Sequence, residues 1–217
     1  MAIKKIKVLY GGESSEREVS LESGKYIFQA LKDLGYEAQL IDYPKNFSSH
    51  QLTEEDFIFI ALHGQDGESG ALQKLLQQKC IPFSGSHYQA CVNTWNKNTC
   101  KVLLKDNKIP TPNWITIPSL HEMEKDLGNP FFNQLRPFNE LFLKPAEDGS
   151  SIDVFKITCN KDLENAILGC VDPRRTFILE ESIDFKELTV PILNGKCLPA
   201  VEIETSESFY NFNAKYV

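Results

Sequence analysis

The stretch from Ile6 to Ile41 limits the fold more than any other. Ile6-Lys7-Val8-Leu9-Tyr10 is a short apolar strand that runs into Gly11-Gly12. Ser15-Glu16-Arg17-Glu18 follows with the spacing of a capping box, so a helix is expected to start there. Val19, Ile27, Ala30, Leu31 and Leu34 recur at helical spacing up to Gly35, and a second strand is expected at Ala38–Ile41. Strand, glycine turn, helix and strand make a βαβ unit. Such a unit needs a parallel sheet and places ligands beyond the carboxyl ends of its strands, near the helix N-terminus. The GxGxxG pattern is absent from the turn, which counts against a dinucleotide cofactor. Glu16 and Glu18 have two readings. Acids in a first helical turn meet the helix dipole favourably, worth about 0.3–1 kcal/mol each. One of them is also placed to receive a substrate ammonium.

The next segments extend the same pattern. Phe57–Leu62 reads as a buried strand, followed by His63-Gly64-Gln65-Asp66-Gly67-Glu68 at its carboxyl end. This loop should face the crevice that the first glycine turn faces, with His63 either structural or part of a site. A helix at Ala71–Lys79 and a strand at Ile81-Pro82-Phe83 come next, and a helix from Tyr88 to Asp106 follows a polar turn. The first domain boundary is expected near residue 90. Lys97 and Lys101 lie four apart on one helical face, and a solvated position is the reading for Lys101. Ile109-Pro110-Thr111-Pro112 is an extended link into a strand at Trp114–Ile117. A helix through His121–Leu127 and a loop over Gly128–Asn139 are expected after it.

Glu140–Ile157 reads as two strands around a polar loop. Leu141-Phe142-Leu143 leads to Lys144-Pro145, and Ile152, Val154, Phe155 and Ile157 resume the strand pattern. Gly149-Ser150-Ser151 between them suits a backbone that must approach an anion, with glycine supplying unusual dihedrals and two hydroxyls adding donors. Lys144 would bring the point charge that phosphate needs. An ordinary hairpin with a surface lysine fits the same residues. A helix at Asp162–Leu168, a strand at Thr176–Glu181, and a meander of Glu187–Leu193 with Pro199–Ile203 around Asn194-Gly195 complete the chain.

Composition excludes some classes. A net charge of −7 over 217 residues argues against a general nucleic-acid or anionic-membrane surface, so any phosphate site must be local. Phe57–Leu62 is the longest apolar run and is too short to span a bilayer; the N-terminus lacks a signal-peptide pattern. Six cysteines without a CxxC pair are read as buried thiols in a reducing cytoplasm.

Five stretches together resemble the D-alanine–D-alanine ligases. They are GGESSEREVSLESG at 11–24, ALHGQDGESGALQ at 61–73, NK at 96–97 with KIPTP at 108–112, LKPAEDGSS at 143–151, and KELTV with FYNFNAKY within 186–216. They run in the family's order from one end of the chain to the other. The resemblance implies an α/β architecture: an N-terminal open parallel sheet, Rossmann-like, of the kind that precedes ATP-grasp domains, then an α+β ATP-grasp domain. The implied domains are 1–90 on the substrate side, 91–180 as the central ATP-grasp subdomain, and 181–217 as the start of a C-terminal subdomain.

The implied chemistry is ATP-dependent joining of two D-alanines through an acylphosphate, for peptidoglycan precursors. By position, Glu16 resembles the acid that holds the first D-alanine's ammonium, and His63 the histidine near that substrate. Ser150 and Tyr216 resemble the serine and tyrosine that hydrogen-bond with this acid. Lys97, Lys144 and Lys215 match lysines on the nucleotide phosphates, with Ser151 in the loop above them. Glu180 matches an acid of the adenine-binding segment, and Glu187 one that takes the ribose hydroxyls. ATP, magnesium and D-alanine are the implied cofactors and substrates, in a cytoplasmic protein whose family is commonly dimeric.

Trp95, Asn96, Ser69 and Asn211-Phe212-Asn213 depart from the family's usual residues. The chain also stops before the family's Asp, Glu and Asn ligands for two magnesium ions. Residues 1–217 alone are therefore expected to form no detectable dipeptide, while weak ATP or D-alanine binding persists. Two other readings stay open: a different ATP-grasp carboxylate–amine ligase, and a non-catalytic module that binds nucleotide or an amino acid.

Overall fold

A computed structural model describes residues 5–53, 55–121, 123, 126, 128, 130–135, 140–183 and 186–204. The chain divides into two compact units, Met1–Cys100 and Lys101–Val217.

In the first unit, β1 (Lys5–Gly11), α1 (Arg17–Asp33) and β2 (Ala38–Tyr43) form the expected βαβ unit, and β3 (Asp56–Ile60) joins the other side of β1. All three strands are parallel, in the order β2-β1-β3. Alternation along β1 explains why both faces are covered. Ile6 and Val8 pack on one side with Ile27 and Leu31 of α1. Leu9 faces the other way, against Ile41, Ile58, Leu72 and Leu76. The inner face of α1 carries Ser20 and Gly24, the helix's buried residues. A β carbon on Gly24 would lie 2.4 Å from Cβ of Tyr10, so the helix backbone reaches the strand only because that side chain is missing.

After β3 come α2 (Gln65–Glu68), α3 (Ala71–Gln78) and α4 (Tyr88–Trp95). Three expectations change here. α1 begins at Arg17 with Glu16 as its N-cap and no side-chain cap, so the capping box expected from Ser15 does not form. Ile81–Phe83 is not a full strand and contributes one bridge, Ile58 to Phe83. The long helix expected over 88–106 is two helices, α4 and α5 (Lys97–Asp106). Asn96 separates them: its backbone is extended (φ −85°, ψ 113°), and its side-chain oxygen accepts from the Thr99 amide at 3.0 Å. A residue that can cap a helix is a good place to restart one.

The second unit has a four-stranded antiparallel sheet in the order β4-β7-β5-β6. Its strands are β4 (Trp114–Ile117), β5 (Leu141–Pro145), β6 (Phe155–Ile157) and β7 (Phe177–Glu181), with α6 (Asn160–Gly169) between the last two in sequence. Ile115, Ile117, Leu141, Leu143, Ile157, Phe177 and Leu179 build the core, closed by Leu163 and Ala166 of α6. β5 and β6 pair as the expected hairpin, Leu141 opposite Ile157. β6 is shorter than expected, since Ile152 and Asp153 stay in the turn. Within 128–139, a 3-10 turn forms at Pro130–Leu135. His121 lies in a turn and Met123 in a bend; the rest of the helix expected there falls largely outside the described residues.

β8 (Glu187–Thr189) pairs with β11 (Val201–Ile203), and β9 (Ile192–Leu193) with β10 (Lys196–Cys197). Asn194 and Gly195 connect the latter pair with φ of 49° and 73°, the two left-handed positions that a tight hairpin turn requires. The expectation of buried thiols holds for Cys91 alone: Cys100 and Cys170 are half-buried, and Cys80, Cys159 and Cys197 are exposed. Among the described residues, no helix is long and apolar enough to cross a membrane.

Candidate functional site

In the first unit, the residues of interest collect where β1 and β3 end. Ser20 fastens the two strand ends together: its Oγ accepts from the Gly11 amide at 2.9 Å and donates to the Ala61 carbonyl at 2.7 Å. Ser14 Oγ donates to the His63 carbonyl at 2.9 Å, and the Glu13 amide donates to Asp66 at 2.6 Å. The two loops are thus stitched to each other. Gly64 turns with φ of 67°, and a β carbon there would lie 3.0 Å from Oε2 of Glu16. The Glu16 carboxylate therefore stands against the backbone of the His63 loop.

Glu16 is 5% exposed, whereas Glu18 points to solvent. Burial separates the two acids that periodicity left equivalent: Glu18 has the surface position of a helix-dipole acid, and Glu16 has been taken out of water. His63 Nε2 lies 3.3 Å from the Ser23 hydroxyl. Beside them Arg17 grips Asp42 at the end of β2 through two bonds of 2.9 and 2.8 Å and donates to the Gly12 carbonyl. That guanidinium holds the Asp42 carboxyl below the usual carboxylate range.

In the second unit, β5 and β7 run side by side and bring Lys144 next to Glu180. Lys101 reaches the same carboxylate from α5, Nζ to Oε2 at 2.8 Å. Its ammonium also donates to Thr111 Oγ1 at 2.8 Å and lies 5.1 Å from the centroid of the Trp114 ring. Lys101 is buried, 7% exposed, and this corrects its assignment to a solvated face. The helix period placed it on an outer stripe, but its ammonium reaches Glu180 of β7. One buried carboxylate thus sits between two ammonium groups, and the trio carries one positive charge in excess.

Lys144 leads into the loop that carries Ser150 and Ser151, both half-buried. The left-handed conformations in that loop fall on Asp148, Ser150, Ser151 and Asp153 (φ of 147°, 53°, 58° and 53°) and not on Gly149, where glycine was expected to supply them. Glu187 stands on the separate β8–β11 ladder, opposite Ile203. Lys97 opens α5 in the first unit and is half-buried. Lys215 and Tyr216 lie outside the described residues. Among the described residues, no three His, Cys, Asp or Glu side chains are grouped to hold a metal ion.

The comparisons with known proteins agree on one family. The family model described as "D-ala D-ala ligase C-terminus" matches residues 103–217. A D-alanine–D-alanine ligase of Magnetococcus marinus is 35% identical over 98% of this chain and 68% of its own length. Another, of Haemophilus ducreyi, is 37% identical over 99% of this chain and 69% of its own. The crystal structure of the Bacillus anthracis D-alanine–D-alanine ligase complexed with ATP superposes with a TM-score of 0.76 at 30% identity, over 95% of this chain and 68% of that one.

Proposed function

Because this chain belongs to the D-alanine–D-alanine ligase family, we propose that it joins two D-alanines at the expense of ATP, with its two units supplying different parts of the chemistry. The first unit holds the first D-alanine. The buried Glu16 carboxylate, fixed against the His63 loop, pairs with the substrate ammonium; this placement is the observation that carries the reading. A carboxylate removed from water is a stronger partner for a cation than one on the surface. His63 lies at the same sheet edge, beyond β3, and borders that substrate.

The second unit handles the nucleotide. Lys144 meets the phosphates, Ser151 donates from the loop beyond it, Glu180 and Glu187 face the adenosine, and Lys215 adds phosphate charge, as does Lys97 of the first unit. An oxygen of the first D-alanine's carboxylate attacks the terminal phosphorus, and ADP leaves. The amine of the second D-alanine, having lost a proton, attacks the acylphosphate carbon, and inorganic phosphate leaves as the amide forms. Such a transfer depends mainly on positioning and charge compensation. Glu180 also explains how Lys144 can change partners: Lys101 stays with the carboxylate when Lys144 turns to phosphate. Ser150 and Tyr216 are assigned to the same chemistry as catalytic residues. The protein works in the cytoplasm, as a homodimer, with magnesium accompanying the nucleotide.

Glu16→Gln tests this reading. The variant keeps the shape and removes the charge that pairs with the ammonium. The KM for the first D-alanine should rise about tenfold, the effect of roughly 1.4 kcal/mol, while the KM for ATP stays within about twofold. Equal rises in both would reduce Glu16 to an acid of the helix N-terminus. The assay is ADP release by the native gene product at varied D-alanine and ATP.

A further inference from the structure

Resting on the nucleotide role given above to the Ser150–Ser151 loop, we propose that Arg175 is a positioning residue that holds this loop in its working shape by tying together the two acids that flank it. Arg175 lies in the turn that leads from α6 into β7. Its Nη1 donates to Asp148 Oδ2 at 3.0 Å, and its Nη2 pairs with Asp153 Oδ2. Asp148 precedes Gly149-Ser150-Ser151 and Asp153 follows it, so a single guanidinium closes both ends of the hydroxyl-bearing turn. Arg175 is itself anchored. Its Nε donates to the Asp172 carbonyl at 3.4 Å, and its guanidinium carbon lies 5.7 Å from the ring centroid of the fully buried Phe177.

The loop needs such a tie. Four of its residues hold positive φ, and none of the four is glycine. Left-handed backbone is costly for residues with a β carbon and persists where the surroundings impose it. Inside the loop, Ile152 N donates to the Gly149 carbonyl at 3.2 Å, and Gly149 N to Asp148 Oδ1 at 2.9 Å. Asp153 is held more firmly. Its side chain is 6% exposed, and it also accepts from the Val171 amide at 3.0 Å. Arg175 therefore connects the more exposed acid, Asp148, to a buried one fixed by the α6–β7 connection. The planar fork of arginine can satisfy two carboxylates at once, and a lysine ammonium cannot reproduce that geometry.

The test uses three variants of the native gene product: Arg175→Met, Arg175→Lys, and Arg175→Met combined with Asp153→Gly. Two readouts are taken: amide hydrogen exchange across 148–153 without ligand, and direct ATP binding alongside KM for ATP and for D-alanine. Arg175→Met should exchange faster in 148–153 and bind ATP about tenfold more weakly, short of the roughly hundredfold that a misplacement of about 1 Å can cost. KM for D-alanine should move less than KM for ATP. Arg175→Lys should fall between Met and the native residue. The added Asp153→Gly removes the unpaired buried carboxylate and relieves one left-handed residue, so it should recover stability and part of the ATP affinity. It also gives a folded comparison if the single variant does not fold. Unchanged exchange in 148–153 would overturn the tie itself. Faster exchange with unchanged ATP binding would leave the tie standing and contradict the nucleotide role of the loop.

Discussion

Lys101→Met is expected to lower the stability of the second unit by about 3 kcal/mol, near the bottom of the range for removing one partner of a buried ion pair. Glu180 is 8% exposed and keeps only Lys144 when Lys101 is gone. Thr111 loses its partner as well, and the Trp114 face loses a cation. The methionine fills the space of the lysine stem, so the loss is one of charge and hydrogen bonding rather than of volume. Adding Glu180→Met should recover much of the loss, since two apolar side chains in place of a buried pair are often neutral or better. Denaturant unfolding of the native gene product and both variants measures this. A double variant no more stable than the single one would show that the pair is not the source.

Lys144→Ala is expected to weaken ATP binding about tenfold to a hundredfold, the loss of a charged hydrogen bond worth roughly 1.5–3 kcal/mol. Its effect on stability should be smaller than that of Lys101→Met. The Lys144 side chain is 25% exposed, and Glu180 would still be compensated by Lys101. The two lysines should therefore separate cleanly: Lys101 mainly stability, Lys144 mainly nucleotide affinity. Unchanged affinity and rate in Lys144→Ala would sink its assignment to phosphate.

The parts of the site that could be read from the chain were those that local patterns place. The ends of β1 and β3 follow from apolar runs that stop at Gly11 and at His63, so Glu16 and His63 could be put at one sheet edge from the sequence. The β5–β6 hairpin and the Asn194-Gly195 turn came from period and turn chemistry in the same way. What stayed hidden depended on distant partners. Lys101 is buried because Glu180, 79 residues later, lies beneath it. Nothing in the helical period of α5 records that contact; the nearest signal was a lysine four residues after Lys97 with Thr111 and Trp114 downstream. The role of Arg175 is not written in its own neighbourhood, since its partners lie 22 and 27 residues away, in another loop. The backbone of 148–153 was misjudged for the same reason, as a tie from outside can place left-handed residues where glycine is not. Asn96 broke a helix whose apolar spacing ran straight through it, since a cap is a local bond that periodicity does not register.

The central claim is that this chain's two units serve the ATP-driven joining of two D-alanines, and it is tested most directly by following both products together. The native gene product, isolated at its natural length, is given ATP, magnesium and D-alanine, and ADP and dipeptide are quantified over time. One D-alanyl-D-alanine should appear for each ADP, with both falling to background when D-alanine is left out. ADP released at the same rate without D-alanine, or D-alanine consumed into another product, would contradict the account.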